Sequence, residues 1–305
     1  MKTFLLGAWL AIVPCAAFAQ QPAKAPSPVT ISPAPLPDAD PALWVVRDDD
    51  TTIYLFGTFH MLDGKRDWFN DEVRTAFDAS KELVLEANLP DDPAAFQPLI
   101  AKFAVDSSGK TLTSKLSAAN AKKLAEALAS LGAPPTAFDP FEPWFASMTV
   151  VALKAQSIGL NPEHGPEKIL TAAARKSGMP IGELEGLEFQ FKLFDQMPEA
   201  QQIELLGDTL DTLGDTNEML GSMLAAWSAG DVDKLVELMN DPAMADKGLY
   251  DLMFTKRNAT WAEWIDTRLD SPGTVFIAVG AGHLSGPDNV RSLLEKRGIA
   301  SARVE

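Results

Sequence analysis

Two stretches of the chain carry unbroken runs of β-branched and aromatic residues: Thr52-Ile53-Tyr54-Leu55-Phe56 and Thr274-Val275-Phe276-Ile277-Ala278-Val279. Apolar runs without polar alternation predict strands covered on both faces. Shorter segments, 82–86 and 180–185, predict two more strands, each ending in a carboxylate (Glu86 and Glu185). Elsewhere the apolar spacing is close to 3.6 and predicts amphipathic helices over 67–79, 120–131, 144–157 and 166–176. Residues 190–270 read as almost entirely helical. That stretch holds a methionine series (Met219, Met223, Met239, Met244, Met253) suited to core filling, and a run with Arg257, Trp261 and Trp264. The C-terminus predicts a helix over 287–297, Gly298 at its C′ position, and a last strand over 299–304. The class is α/β, mixed α and β. Two strand–Gly-x-x-His–helix–strand units form a central sheet, with a large helical insertion between them.

The N-terminus reads as a targeting segment. Met1-Lys2-Thr3 is followed by an apolar run from Phe4 to Val13 and by Ala17-Phe18-Ala19, a cleavage-site pattern before Gln20. Residues 1–19 are therefore expected to be a signal peptide, too short for a membrane span, and the mature chain is expected to be periplasmic or secreted with no stable span. Cys15, the single cysteine, lies inside it. Val13-Pro14 stands where small residues would precede an acylated cysteine, which disfavours a lipoprotein. Without Cys15 the mature protein has no disulfide, no thiolate nucleophile and no cysteine metal ligand. Residues 20–40, with Pro22, Pro26, Pro28, Pro33, Pro35 and Pro37, predict a disordered leader. Residues 41–305 suit one domain, or one domain with a helical insertion. The net charge of −16 repels phosphate backbones and excludes nucleic acid as a partner.

The candidate chemistry follows the two long strands. Gly57-Thr58-Phe59-His60 and Gly280-Ala281-Gly282-His283 place two of the chain's three histidines in the same position after a strand. A glycine there lets the backbone turn, and the histidine lands outside the carboxyl end of the sheet, where α/β proteins bind ligands. Two imidazoles with carboxylates from neighbouring strand ends suit a divalent Mn, Co or Zn ion. His60, His283 and Glu86 are the expected ligands, and Glu185 the base for a bound water or a further ligand. Arg257 reads either as a helix-face ion pair or as a cation that binds a substrate carboxylate or orients Glu86 or Glu185. Asn258 and Gln190 could serve a ligand amide or cap local backbone, and His164 belongs to a surface loop. The leading expectation is a metal-dependent hydrolase acting on a peptide or small molecule. The alternatives are a non-catalytic binder of metal, haem or another ligand, and a metal-independent esterase with histidine as base.

At these residues the chain resembles the TraB/GumN family, which is related to the Tiki membrane proteases. The resemblance runs from Ala42-Leu43-Trp44 through Tyr54-Leu55-Phe56-Gly57-Thr58-Phe59-His60, Leu83-Val84-Leu85-Glu86, Leu184-Glu185-Gly186 with Gln190, and Arg257-Asn258 before Trp261, to Val279-Gly280-Ala281-Gly282-His283-Leu284. It implies an α/β fold of paired halves, with a site built from both Gly-x-x-His motifs and the first glutamate. In the Tiki branch these support metal-dependent peptide cleavage, with Mn or Co favoured. More distant relatives on a similar core include an esterase-like group and haem-binding proteins, so the fold does not set the reaction. Members commonly carry Gly-(Val/Leu/Ile)-Asp before the helix that precedes the Leu-Glu strand. Here the segment is Glu163-His164-Gly165-Pro166-Glu167, without that aspartate.

Overall fold

The computed structural model describes residues 35–239 and 250–305. Residues 1–34, which hold the expected signal peptide and most of the expected leader, and Met244 lie outside them. Six strands form one mixed sheet in the order β4-β3-β5-β2-β1-β6. They are β1 (Leu43–Arg47), β2 (Thr51–Thr58), β3 (Glu82–Leu85), β4 (Ile181–Glu183), β5 (Gly273–Gly280) and β6 (Ser301–Arg303). β4, β3, β5 and β2 run parallel, while β1 is antiparallel to both β2 and β6. The strand β1 joins β2 through a tight turn in which the Thr51 backbone N–H donates to the Asp48 carboxylate at 2.8 Å.

Ten helices matter for the layers. They are α1 (Asp71–Ala79), α2 (Ala118–Ser130), α3 (Pro143–Ser157), α4 (Pro166–Ser177), α5 (Leu187–Asp195), α6 (Glu199–Thr212), α7 (Thr216–Ser228), α8 (Val232–Met239), α9 (Lys256–Leu269) and α10 (Val290–Lys296). Both long strands are covered on both faces, as their unbroken apolar runs predict. Ile53, Leu55, Val275 and Ile277 face α9 and α10, packing with Trp261, Ile265 and Leu294. Phe56, Phe276 and Ala278 face the other way, with Trp68, Phe77 and Trp227. A separate cluster fills the helical insertion, where Leu124 and Leu128 of α2 meet Val150 of α3 and Leu206 of α6. Met223 and Met253 are buried and Met219 and Met239 pack against the core, so the described methionines do fill it.

The sheet also refines how the two units and the leader are read. The two units do form one central sheet, and they are interleaved in it: β5 lies between β2 and β3, and each unit's own strands are not neighbours. Their glycines are also one residue out of step: Gly57 lies opposite Val279, and Thr58 opposite Gly280. The end of the leader is also tied down. Asp67 N–H donates to the Pro37 carbonyl at 2.9 Å and Asp40 N–H to that of Ser228 at 2.8 Å, and Ala39 is buried. Gly178 and Gly298 close α4 and α10 at φ of 73° and 84°. Among the described residues, no helix is long and apolar enough to cross a membrane.

Candidate functional site

Because four strands run parallel, their carboxyl ends share one edge of the sheet, and the candidate residues follow from that edge. His60 comes two residues after β2, Glu86 directly after β3, Glu185 two after β4 and His283 three after β5. The first turn of α9 adds Arg257 and Asn258, and its next turn adds Trp261. Gln190 enters from α5. All five residues singled out for catalysis or metal binding are thus brought together.

Arg257 is the hub of the cluster. Its Nε and Nη2 donate to the two oxygens of Glu185, both at 2.8 Å. Nη2 also donates to Glu86 Oε2 at 2.8 Å, and Nη1 to the Met253 carbonyl and to His283 Nε2, each at 3.0 Å. The guanidinium lies over the Trp261 ring, 4.7 Å from its centroid. Of the readings open for Arg257, this geometry matches the one in which it orients Glu86 and Glu185. Glu185 is held on every side: Trp261 Nε1 donates to Oε1 at 3.0 Å and Gln190 Nε2 to Oε2 at 3.4 Å. Burial pushes its carboxyl up from the usual range, against the pull of Arg257. Gln190 also reaches Glu86 Oε2 at 3.4 Å, so it serves the carboxylates.

His283 is fully buried between two rings, with the Phe254 centroid 4.9 Å and the Trp261 centroid 4.3 Å from its own. Its tautomer follows from its neighbours. Asn258 Nδ2 donates to the Asp288 carbonyl at 2.9 Å, which turns Oδ1 toward His283 Nδ1 at 2.6 Å. An amide oxygen only accepts, so Nδ1 carries the proton and Nε2 accepts from Arg257. Burial first, then the charges of Arg257 and His60, hold this imidazole well below its usual pKa, so it is neutral.

Around His60 the structure adds a residue that sequence reasoning missed. Glu167 Oε1 lies 2.5 Å from His60 Nδ1 and accepts from Thr58 Oγ1, also at 2.5 Å. Burial works to raise the Glu167 pKa, but His60 and the hydrogen bonds from His60, Thr58 and its own backbone outweigh it and lower the value. Glu167 sits in the first turn of α4, two residues after Gly165. The signal was present in Gly165-Pro166-Glu167, which keeps the spacing of Gly-x-Asp with a side chain one methylene longer. The segment lacks the aspartate, as read from the sequence, and Glu167 supplies a carboxylate at that spacing. Gly165 permits the approach, since a Cβ there would stand 2.2 Å from the His60 carbonyl oxygen. His164 is exposed and packs over Gly64.

The two imidazoles and Glu86 border one small space. A Cβ on Gly280 would lie 3.2 Å from both His60 Nε2 and Glu86 Oε1. Glu86 Oε1 accepts from Gly280 N–H at 2.6 Å and lies 3.9 Å from His283 Nε2. Among the described residues, the acidic sets with donor atoms all within 4.8 Å are Asp38/Asp40/Asp71 and Asp106/Glu142/Glu199, both away from this edge. His60, Glu86 and His283 are less tightly drawn, with Arg257 reaching between Glu86 and His283.

The comparisons agree with the motif reading. The chain is 27% identical over 255 residues to the uncharacterized protein YbaP of Escherichia coli (strain K12), covering 83% of this chain and 92% of that protein. It is 23% identical over 269 residues to an uncharacterized protein of Treponema pallidum (strain Nichols), covering 83% of this chain and 80% of that one. No solved structure matches. The model of the TraB/PrgY/gumN family matches residues 42–303, and with that span the chain belongs to the TraB/PrgY/gumN family.

Proposed function

We propose that the protein is an exported metal-dependent hydrolase, acting as a peptidase or on a related acyl substrate, with His60, His283 and Glu86 as the metal ligands. One observation carries the reading: each imidazole has Nδ1 committed to an oxygen, Glu167 for His60 and Asn258 for His283. Metal-binding histidines are oriented in this way, with the outer nitrogen bonded and the inner one presented. Their Nε2 atoms flank Glu86, whose carboxylate adds the hard oxygen that such an ion takes. The donor set fits Mn, Co or Zn, and a bound ion would supply Lewis acidity and an acidified water. Arg257 stands against His283 Nε2 and Glu86, so loading requires its guanidinium to shift. Glu185, saturated by Arg257, Trp261 and Gln190, positions the arginine and is a poor candidate for the free base that the sequence pattern assigned to it. Export rests on the character of residues 1–19.

The first test is metal content and affinity of the folded wild type against the His60→Ala/His283→Ala double variant, followed by a peptide library under Mn, Co and Zn. Stoichiometric metal lost in the double variant supports the reading. A folded wild type that binds none of the three ions sinks it. The 2.5 Å contact between His60 and Glu167 favours a second reading, a metal-independent esterase in which His60 is the base. Hydrolysis that survives exhaustive chelation would select it.

A further inference from the structure

We propose that Glu167 is a positioning residue of this site, whose carboxylate, anchored by Thr58, fixes His60 with its proton on Nδ1 and its Nε2 turned to Glu86. Three features separate this from a chance buried ion pair. First, Glu167 sits in the first turn of α4, where its carboxylate accepts from its own backbone N–H, and from there it also reaches the end of β2. Second, one oxygen, Oε1, takes both the Thr58 hydroxyl and the His60 ring, each at 2.5 Å. Thr58 is the last residue of β2, so the carboxylate is pinned to the sheet edge from which His60 departs. Third, the backbone at Gly165 lies against the His60 carbonyl, which sets the start of α4 relative to that loop. The positive end of the α4 dipole and its first N–H groups favour an anion there. An ionised carboxylate only accepts, so the ring nitrogen it faces must be the protonated one. Nδ1 is also the nitrogen that Asn258 keeps protonated in His283, by a different chemical group from a different helix. Two independent devices present two Nε2 atoms to one carboxylate.

The functional consequence rests on the metal-hydrolase reading, whereas the tautomer assignment does not. The test is 15N NMR of the imidazoles in the full chain at one fixed pH. With three histidines in the sequence, the spectrum is assignable by single substitution. Wild type should show His60 and His283 both protonated at Nδ1. Glu167→Met, which removes the acceptor, should move His60 to the Nε2-protonated or averaged signature and leave His283 unchanged as a reporter of the intact site. Glu167→Gln, whose amide oxygen still accepts, should keep the Nδ1 proton. In zinc competition titrations Glu167→Met should lose about 10–100-fold in affinity, the usual effect of removing an outer partner, and Glu167→Gln less. A folded Glu167→Met protein with an unmoved His60 signature overturns the proposal. Should that variant not fold, Glu167→Ala, which likewise removes the acceptor, carries the test, and an unchanged His60 signature there overturns it. A wild type that binds no zinc while His60 still follows Glu167 leaves the positioning role standing and defeats the metal reading.

Discussion

At the scale of single residues, the site is dominated by buried charge that is balanced by geometry. Arg257, Glu86, His60 and His283 are between 0 and 8% exposed. A buried ion pair adds little net stability when intact, but removing one partner leaves a charge without compensation and costs about 3–5 kcal/mol. Arg257→Gln should therefore destabilise by about that amount, because Glu86 and Glu185 both lose their counter-charge. The Arg257→Gln/Glu185→Gln double variant should recover a sizeable part, since its remaining amides can bond each other and only Glu86 stays exposed to the loss. Urea denaturation of the three proteins measures this coupling. A double variant at least as unstable as the sum of its singles would show that the pair does not act as a unit.

At the scale of elements, the site depends on where strands end and helices begin. His60, Glu86, Glu185 and His283 leave the sheet within three residues of four parallel strand ends, and Arg257, Asn258 and Glu167 enter from first helical turns. The tightest of these junctions is the start of α4 against His60. In Gly165→Ala the new methyl would meet backbone, 2.2 Å from the His60 carbonyl oxygen and 3.0 Å from that of Pro162, so neither neighbour can rotate away. The helix start must retreat and take Glu167 with it. The expected loss is about 1–3 kcal/mol of stability, the range for overpacking, together with the same His60 shift as Glu167→Met. A Gly165→Ala protein of wild-type stability would show that α4 is not wedged against this loop.

For the whole molecule, the buried neutral His283 links folding to pH. Its folded pKa lies well below 6.5, whereas the unfolded chain takes up the proton near that value. The unfolded state then binds more protons in the window below 6.5, so stability is full above it and is lost as pH falls toward the folded pKa. One such group gives a slope of up to about 1.4 kcal/mol per pH unit. Glu185 acts in the opposite sense from 4.5 upward, because its folded pKa is raised. The comparison that isolates His283 is therefore the difference in slope between wild type and His283→Gln over the window just below 6.5. A flatter profile in the variant is expected, and equal slopes would mean that His283 is not held neutral by the fold.

The sequence by itself determined the parts that depend on local pattern. Unbroken apolar runs set the two central strands, because a strand covered on both faces has no polar alternation to show. Gly280 marked the end of β5 and Gly57 the last residue but one of β2, and strand-end carboxylates marked Glu86 and Glu185. Helices α2, α3 and α4 were legible to within a few residues from their spacing, and the families of motifs named the site residues. Tertiary structure decided what depends on neighbours far apart in the chain. Only the insertion of β5 between β2 and β3 brings His283 beside Glu86. Only the bidentate bond to Arg257 turns Glu185 from a candidate base into an anchor, since saturation of a carboxylate cannot be read from its position. Glu167 was hidden for the same reason: it lies on a helix start with no pattern of its own, and it acquires a role only where Gly165 lets α4 press against the His60 backbone.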